Sequence, residues 1–227
     1  MEKYITVPTV KSRTKKIKHT LSTIAGLGYV IGGYARYCVD KDKKSAKPCD
    51  VDVYATTSEN FTTLRQRFEE LYGTPKESPV SLMFQTGHLP LNLVRPINEG
   101  VIVAVGDPVV ILDNFDYTIT KCCLLDENSA LAHYKFFEHN KARLLVIEKI
   151  HCPVSAVYRI IKYTKKGYWV RPIEVLKLFA DWDGRGPEYR GKLIDFIKSA
   201  EEFYQSGGVD KLSEQEIQEM ERMLFVD

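Results

Sequence analysis

The sequence contains no apolar run of the roughly 18 residues that a membrane-spanning helix needs. Its basic opening, MEKYITVPTVKSRTKKIKHT, is followed by no hydrophobic stretch adequate for a secretory signal. Both absences predict a cytoplasmic protein without a membrane partner. Cysteine is scarce and unpatterned: Cys38, Cys49, Cys122, Cys123 and Cys152 form no C-x-x-C pair and no zinc-type spacing. An odd count suits a reducing compartment and predicts free thiols. The five histidines, His19, His88, His133, His139 and His151, show no H-x-x-x-H spacing, so no histidine-built metal site is expected. A G-x-S-x-G nucleophile elbow is absent, which argues against the usual hydrolases. No internal repeat and no low-complexity linker divides the chain.

What is present is the composition of a soluble globular protein of one or two domains: 227 residues, 44% hydrophobic and 27% charged. The net charge of +2 hides a segregation. Residues 1–20 carry six Lys+Arg and one acid, residues 141–177 carry nine and two, and residues 201–227 carry two and eight. Such segregation either builds local fields that attract a polyanion or marks solvated helix faces.

Periodicity predicts a mixed α/β first part. Residues 15–26 read as a basic helix, YVI (29–31) as a short buried strand broken by Gly32-Gly33, and YARYCV as the start of a helix. DKDKKSAKPC reads as a lysine-rich loop and DVDVYA as an alternating strand. Ser58 is the expected cap of a helix over 59–72, with Phe61, Leu64, Phe68 and Leu71 at helical spacing. VSLMFQT (80–86), LNLVRP (91–96), VIVAV (101–105), VVIL and DYTITKCCLL read as further β-type segments. From about residue 129 the pattern turns helical to the end of the sequence. The expected architecture is α+β, with a head over 1–148 followed by a helical region over 149–227.

Asp50 and Asp52 stand at i and i+2 of a predicted strand, so both carboxylates share one face while Val51 and Val53 enter the core. Hard divalent cations such as Mg²⁺ prefer oxygen ligands and are often held by one or two carboxylates together with substrate phosphates. A lone D-x-D is weak, because exposed acids on a strand are common. The Gly32-Gly33 turn upstream strengthens it: between a strand and a helix, glycine leaves backbone N–H groups open to phosphate oxygens. Arg36, one turn into that helix, could pair with a phosphate or a carboxylate. A third carboxylate is expected on a neighbouring strand, with Asp116 the first choice and Asp113 the competitor. Asp116 would begin an alternating run that places Thr118 and Thr120 on its own face.

The order VIGGYAR (30–36), CDVDVY (49–54) and NFDYTITK (114–121) resembles the nucleotidyltransferase superfamily that includes DNA polymerase β and, nearer to this pattern, poly(A) polymerases and tRNA CCA-adding enzymes. The resemblance covers about residues 24–125, and VYRIIKYTKKGYWV (157–170) looks like the helical neck that follows the head in small relatives. It implies a mixed sheet with flanking helices, two Mg²⁺ ions and an NTP substrate such as ATP or CTP. By motif match, Gly32 and Gly33 would contact the triphosphate, Asp50 and Asp52 would bind both metals, and Asp116 would complete the site as metal ligand or general base. Arg36 and Lys121 are weaker candidates for the triphosphate, with structural ion pairing as the competing role. Arg159 and Lys162, a turn apart, would read a base or grip phosphate, or form the solvated face of a helix. The Glu-Asp-x-x-Arg nucleotide-selecting motif of bacterial-type CCA enzymes is not found in the helical half, so ordered C, C, A addition does not follow.

The acceptor is read from charge. The basic segments, interleaved with Tyr158, Tyr163, Tyr168 and Trp169, suit an RNA 3′ end, with tRNA the expected acceptor. The alternatives are NMP transfer to a protein or small-molecule hydroxyl, and a non-catalytic RNA-binding module in which the acidic segment 201–227 serves a partner. The loop 40–49, with Lys41, Lys43, Lys44 and Lys47, is expected to close over nucleotide.

Overall fold

The computed structural model describes residues 2–41, 48–78, 80–96, 105–150, 153–191, 194–195 and 198. Residues 42–47 of the expected nucleotide-closing loop, residues 101–104 of the expected strand and the acidic segment 201–227 lie outside the described residues.

The chain opens with β1 (Tyr4–Pro8), then α1 (Lys11–Thr14), which runs through a 3₁₀ turn into α2 (Lys18–Ile24). Next come β2 (Gly28–Ile31), α3 (Gly33–Val39), β3 (Val51–Ala55) and α4 (Ser58–Tyr72). The hairpin strands β4 (Lys76–Glu77), β5 (Ser81–Phe84) and β6 (Leu91–Val94) follow, then α5 (Pro108–Asp113), β7 (Cys122–Leu124), β8 (Ser129–His133), α6 (Phe136–Lys141) and β9 (Leu144–Leu145). The last described elements are α7 (Pro153–Thr164), β10 (Trp169–Val170) and α8 (Pro172–Gly184). Eight strands form one mixed sheet in the order β1-β8-β7-β2-β3-β6-β5-β4. β3 and β6 pair in parallel and the other neighbours are antiparallel. This is the expected α+β head. No helix among the described residues is long and apolar enough to cross a membrane.

The alternation of DVDVY places Val51, Val53 and Ala55 in the core and leaves Asp52 and Tyr54 half-buried on the opposite face. α4 covers the sheet with Leu64 and Phe68, and Phe68 meets Phe84 edge-on with ring centroids 5.5 Å apart. Its cap is Thr57, whose hydroxyl accepts from the Asn60 N–H at 3.1 Å, one residue before the expected Ser58.

Three of the segments that differ from the sequence reading change type or extent, while Tyr4–Pro8, Leu144–Leu145 and Trp169–Val170 are further strands it did not give. VVIL belongs to α5: Asp107 caps it by accepting from the Val109 N–H at 2.8 Å, and Pro108 supplies its first turn. The run from Asp116 is not one strand. Tyr117 makes an isolated bridge to Ile147, Thr118–Thr120 form a 3₁₀ turn, and only Cys122–Leu124 join the sheet. Here the threonine hydroxyls compete with ladder pairing: Thr120 Oγ1 donates back to the Tyr117 carbonyl at 2.8 Å, and Thr118 shares a hydrogen bond with His139 Nδ1 at 2.8 Å. Asp116, Thr118 and Thr120 therefore do not line one strand face. The stretch expected to become helical at 129 instead begins with β8, because Asp126 accepts from the Asn128 and Ser129 N–H groups and turns the chain back along β7.

A second core joins Tyr117, Ile119, Leu145 and Ile147 to Ala156, Tyr163, Tyr168 and Leu178, so the 148/149 boundary falls between residues of one cluster. Glu174 of α8, fully buried, fastens it. Its carboxylate accepts from the Ile147 N–H at 2.9 Å, from Lys177 Nζ at 2.8 Å and from Arg171. Burial alone would raise its pKa, but Lys177, Arg171 and the Ile147 amide outweigh desolvation and hold it below the ordinary 4.5. A carboxylate depressed in the folded state adds stability above its ordinary value and loses it as pH falls through the folded one. Glu174→Gln is therefore expected to cost about 2 kcal/mol near neutral pH and much less where both states are protonated, as urea unfolding at the two pH values would show. An equal cost at both would contradict the assignment.

Candidate active site

Asp50 precedes β3 and Asp52 lies within it, both half-buried. β3 is flanked by β2, which ends at the glycine turn, and by β6. Gly32 has φ +82° and ψ −129°, a conformation that residues with a Cβ rarely adopt. A Cβ built there would stand 3.7 Å from Asp52 Oδ2 and 3.4 Å from the ring of Phe115. The turn thus sits directly beside the carboxylate pair. Gly32 N–H is committed to the Cys122 carbonyl at 2.9 Å, so this residue contributes conformation rather than a free donor. Gly33 opens α3, and a Cβ there would meet nothing within 4 Å.

The third expected carboxylate already has a partner. Asp116 is buried and ion-paired with Arg159 of α7. Among the described residues, no three His, Cys, Asp or Glu side chains form a group that could hold a metal ion, so Asp116 is not gathered with Asp50 and Asp52 into one cage. The competing Asp113 takes Lys3 Nζ at 2.6 Å and the Tyr4 hydroxyl at 2.7 Å.

Two expected phosphate contacts are occupied in the interior. Lys121 is fully buried, with Nζ 2.7 Å from Glu148 Oε2, and Glu148 also meets His133 Nε2 at 2.9 Å. Arg36 is buried as well: its guanidinium donates to the Tyr168 hydroxyl at 2.9 Å and lies over the Tyr163 and Tyr168 rings. Tyr163 and Tyr168, expected as stacking surfaces for RNA, are consequently core residues; Trp169 is exposed. The aromatic rings are drawn inward because a buried guanidinium needs both hydrogen bonds and π faces around it.

α7 carries the charge that does face the site. Arg159, Lys162 and Lys166 recur at helical spacing along it and into the turn that follows. Arg159 reaches Asp116 and lies within electrostatic reach of Tyr54, which neighbours Asp52. Desolvation, then Lys162 and Arg36, lower the Lys166 pKa, while Cys49 and Asp50 pull the other way, so Lys166 lies within electrostatic reach of Asp50. Lys166, Phe115 and Asn92, which hydrogen-bonds both aspartates, were not singled out by the sequence reading. Only Lys166 had a signal, its i+4 relation to Lys162.

No protein-family model and no curated protein sequence matches the chain. Its structure is similar to that of a Thermotoga maritima CCA-adding enzyme complexed with tRNA, with a TM-score of 0.54 at 11% identity, covering 78% of this chain and 45% of that one. It is similar to an apo CCA-adding enzyme, with a TM-score of 0.54 at 12% identity, covering 78% and 47%. A CCA-adding enzyme with CTP gives a TM-score of 0.51 at 15% identity, covering 98% and 56%. The chain spans about half the length of these structures. At such identities the likeness establishes the fold alone, a mixed sheet with flanking helices.

Proposed function

We propose that the chain is a template-independent nucleotidyltransferase that moves NMP from an NTP to an RNA 3′ hydroxyl, with tRNA the leading acceptor. The observation that carries this reading is the juxtaposition of the glycine turn with the carboxylate pair, Gly32 beside Asp52, on this fold. A backbone that lets phosphate approach closely and a pair of hard oxygen donors are the two groups the chemistry needs side by side.

The donor set fits Mg²⁺: Asp50 and Asp52 offer anionic oxygens, and the buried carbonyl oxygen of Asn92 beside them lacks a hydrogen-bond partner. Bound there, divalent cations would activate the acceptor hydroxyl and neutralise charge on the pyrophosphate. The chain's own residues would orient the reactants. The turn at Gly33 would admit the triphosphate, and Lys162 and Lys166 would offset its negative charge from α7. Asp116 would hold Arg159 at the mouth of the site rather than bind cation. As the acceptor oxygen bonds to the α-phosphorus, the bond to the bridging oxygen breaks, pyrophosphate leaves, and the acceptor loses its hydroxyl proton.

RNA as acceptor is supported by the tRNA complex among the similar structures and by the basic segment 141–177 with exposed Trp169. One observation favours a second reading, transfer to a protein or small-molecule hydroxyl. Arg171 and Lys177 are spent on Glu174, and Tyr163 and Tyr168 are buried, which shrinks the surface available to RNA.

Incubation with Mg²⁺, each α-labelled NTP and total RNA is expected to label a tRNA-sized band. Asp50→Ala/Asp52→Ala should lower that signal by about a thousandfold or more, as when groups of one catalytic unit are lost. Label on protein or small molecules would favour the second reading, and no label on any acceptor would sink both. The glycines should separate by effect. Gly32→Ala is expected to cost about 1–3 kcal/mol of stability through backbone strain. Gly33→Ala should leave the thermal midpoint unchanged or higher yet raise the KM for NTP about tenfold by crowding the phosphates. Equal behaviour of the two variants would argue against the phosphate cradle.

A further inference from the structure

Two neighbouring carboxylates repel each other, and in this chain an uncharged group bridges Asp50 and Asp52. Asn92 of β6 is the register partner of Asp52 across the parallel β3–β6 pair. Its Nδ2 donates to Asp50 Oδ2 at 2.9 Å and to Asp52 Oδ1 at 3.3 Å. The residue is only 9% exposed, and its Oδ1 is buried without a hydrogen-bond partner. A buried amide oxygen left unpaired lowers stability, so its presence here calls for a role in another state of the site.

We infer that Asn92 is the third oxygen donor of the cation site. This rests on the reading of Asp50 and Asp52 as cation ligands given above. The Asn92 amide N–H groups bridge the two carboxylates. A half-turn about the terminal torsion, which is roughly two-fold, exchanges Nδ2 for Oδ1 and turns the same side chain from donor to ligand. Amide carbonyls are ordinary ligands for hard cations. Among the described residues no third acidic, histidine or cysteine side chain joins the pair, and Asp116 is held by Arg159. Asn92 is a neighbour with an oxygen to give.

The substitution of charge has a consequence. With two anionic donors and one neutral one, the site attracts a divalent cation less strongly than three carboxylates would. The missing negative charge is supplied by the substrate's phosphates, so cation and NTP enter as a coupled pair and each tightens the other.

The test is Mn²⁺ binding to the full chain, followed by electron paramagnetic resonance of free Mn²⁺, with and without a non-hydrolysable NTP. Wild type should bind weakly alone and at least about tenfold more tightly with nucleotide. Asn92→Leu, which removes the unpaired oxygen and the bridging amide donor together, should weaken Mn²⁺ binding about tenfold, within the range for a lost metal-site partner. Asn92→Asp should tighten nucleotide-free binding by a similar factor and reduce the coupling. Thermal melts identify any variant that fails to fold, and either variant alone suffices. Were the amide only a placeholder, Asn92→Leu would leave Mn²⁺ binding unchanged or stronger, and Asn92→Asp, if folded, would not alter coupling to nucleotide; either result overturns the inference. If Asp50→Asn/Asp52→Asn abolishes binding while the Asn92 variants match wild type, this inference falls and the cation reading stands. If even the aspartate variants match wild type, both fall. Binding in the expected pattern without RNA labelling would uphold Asn92 and reject RNA-end transfer.

Discussion

The constraint on which the site depends is electrostatic: Asp50 and Asp52 cannot be brought together on β3 unless something answers their mutual repulsion. The fold answers it from two sides. β6 contributes the Asn92 amide through cross-strand register, and α7 brings Lys166 within reach of Asp50 and Arg159 into the neighbourhood of Tyr54. The glycine turn then lies against the pair because β2 and β3 are adjacent and antiparallel. Asp52 and Asn92 lie within the sheet itself, so their relative position is fixed by strand register.

The helical part is not an appendage to that sheet. Tyr117 and Ile119 pack with Tyr163, Tyr168 and Leu178, and the Tyr117 hydroxyl donates to the Ala156 carbonyl at 2.6 Å. Arg36, from the helix after the glycine turn, is locked into the same cluster. Such packing couples the position of α7 to the helix that follows the glycine turn. It also explains why a strongly basic segment offers less free charge than its composition suggests. Arg171 and Lys177 neutralise Glu174, and Arg143 donates to the Tyr168 hydroxyl at 3.3 Å.

The parts legible in the sequence were those governed by local rules. Alternation in DVDVY, the apolar stripe of α4 and the glycine break after β2 each follow from backbone periodicity or conformational freedom, and each is present. The segment after Asp116 was misread because threonine has the same β-branched signature whether its hydroxyl faces solvent or captures a nearby carbonyl. Residues 129–133 carry alanines that suit a helix but are drawn into the sheet between β1 and β7 by non-local pairing. For Arg36 and Lys121 the sequence leaves phosphate contact and structural pairing both open, since charge alone does not say whether a long side chain points outward or into a core with a waiting partner. Asn92 carried no signal, since its role comes from register with a strand about forty residues earlier in the chain.

The most direct measurement is a crystal of the chain grown with Mn²⁺ and a non-hydrolysable NTP, with anomalous scattering collected at the manganese edge. The account requires an anomalous peak between Asp50 and Asp52, with the triphosphate lying against Gly33 and beneath Lys162 and Lys166. A peak elsewhere, or nucleotide bound away from the glycine turn, would contradict it.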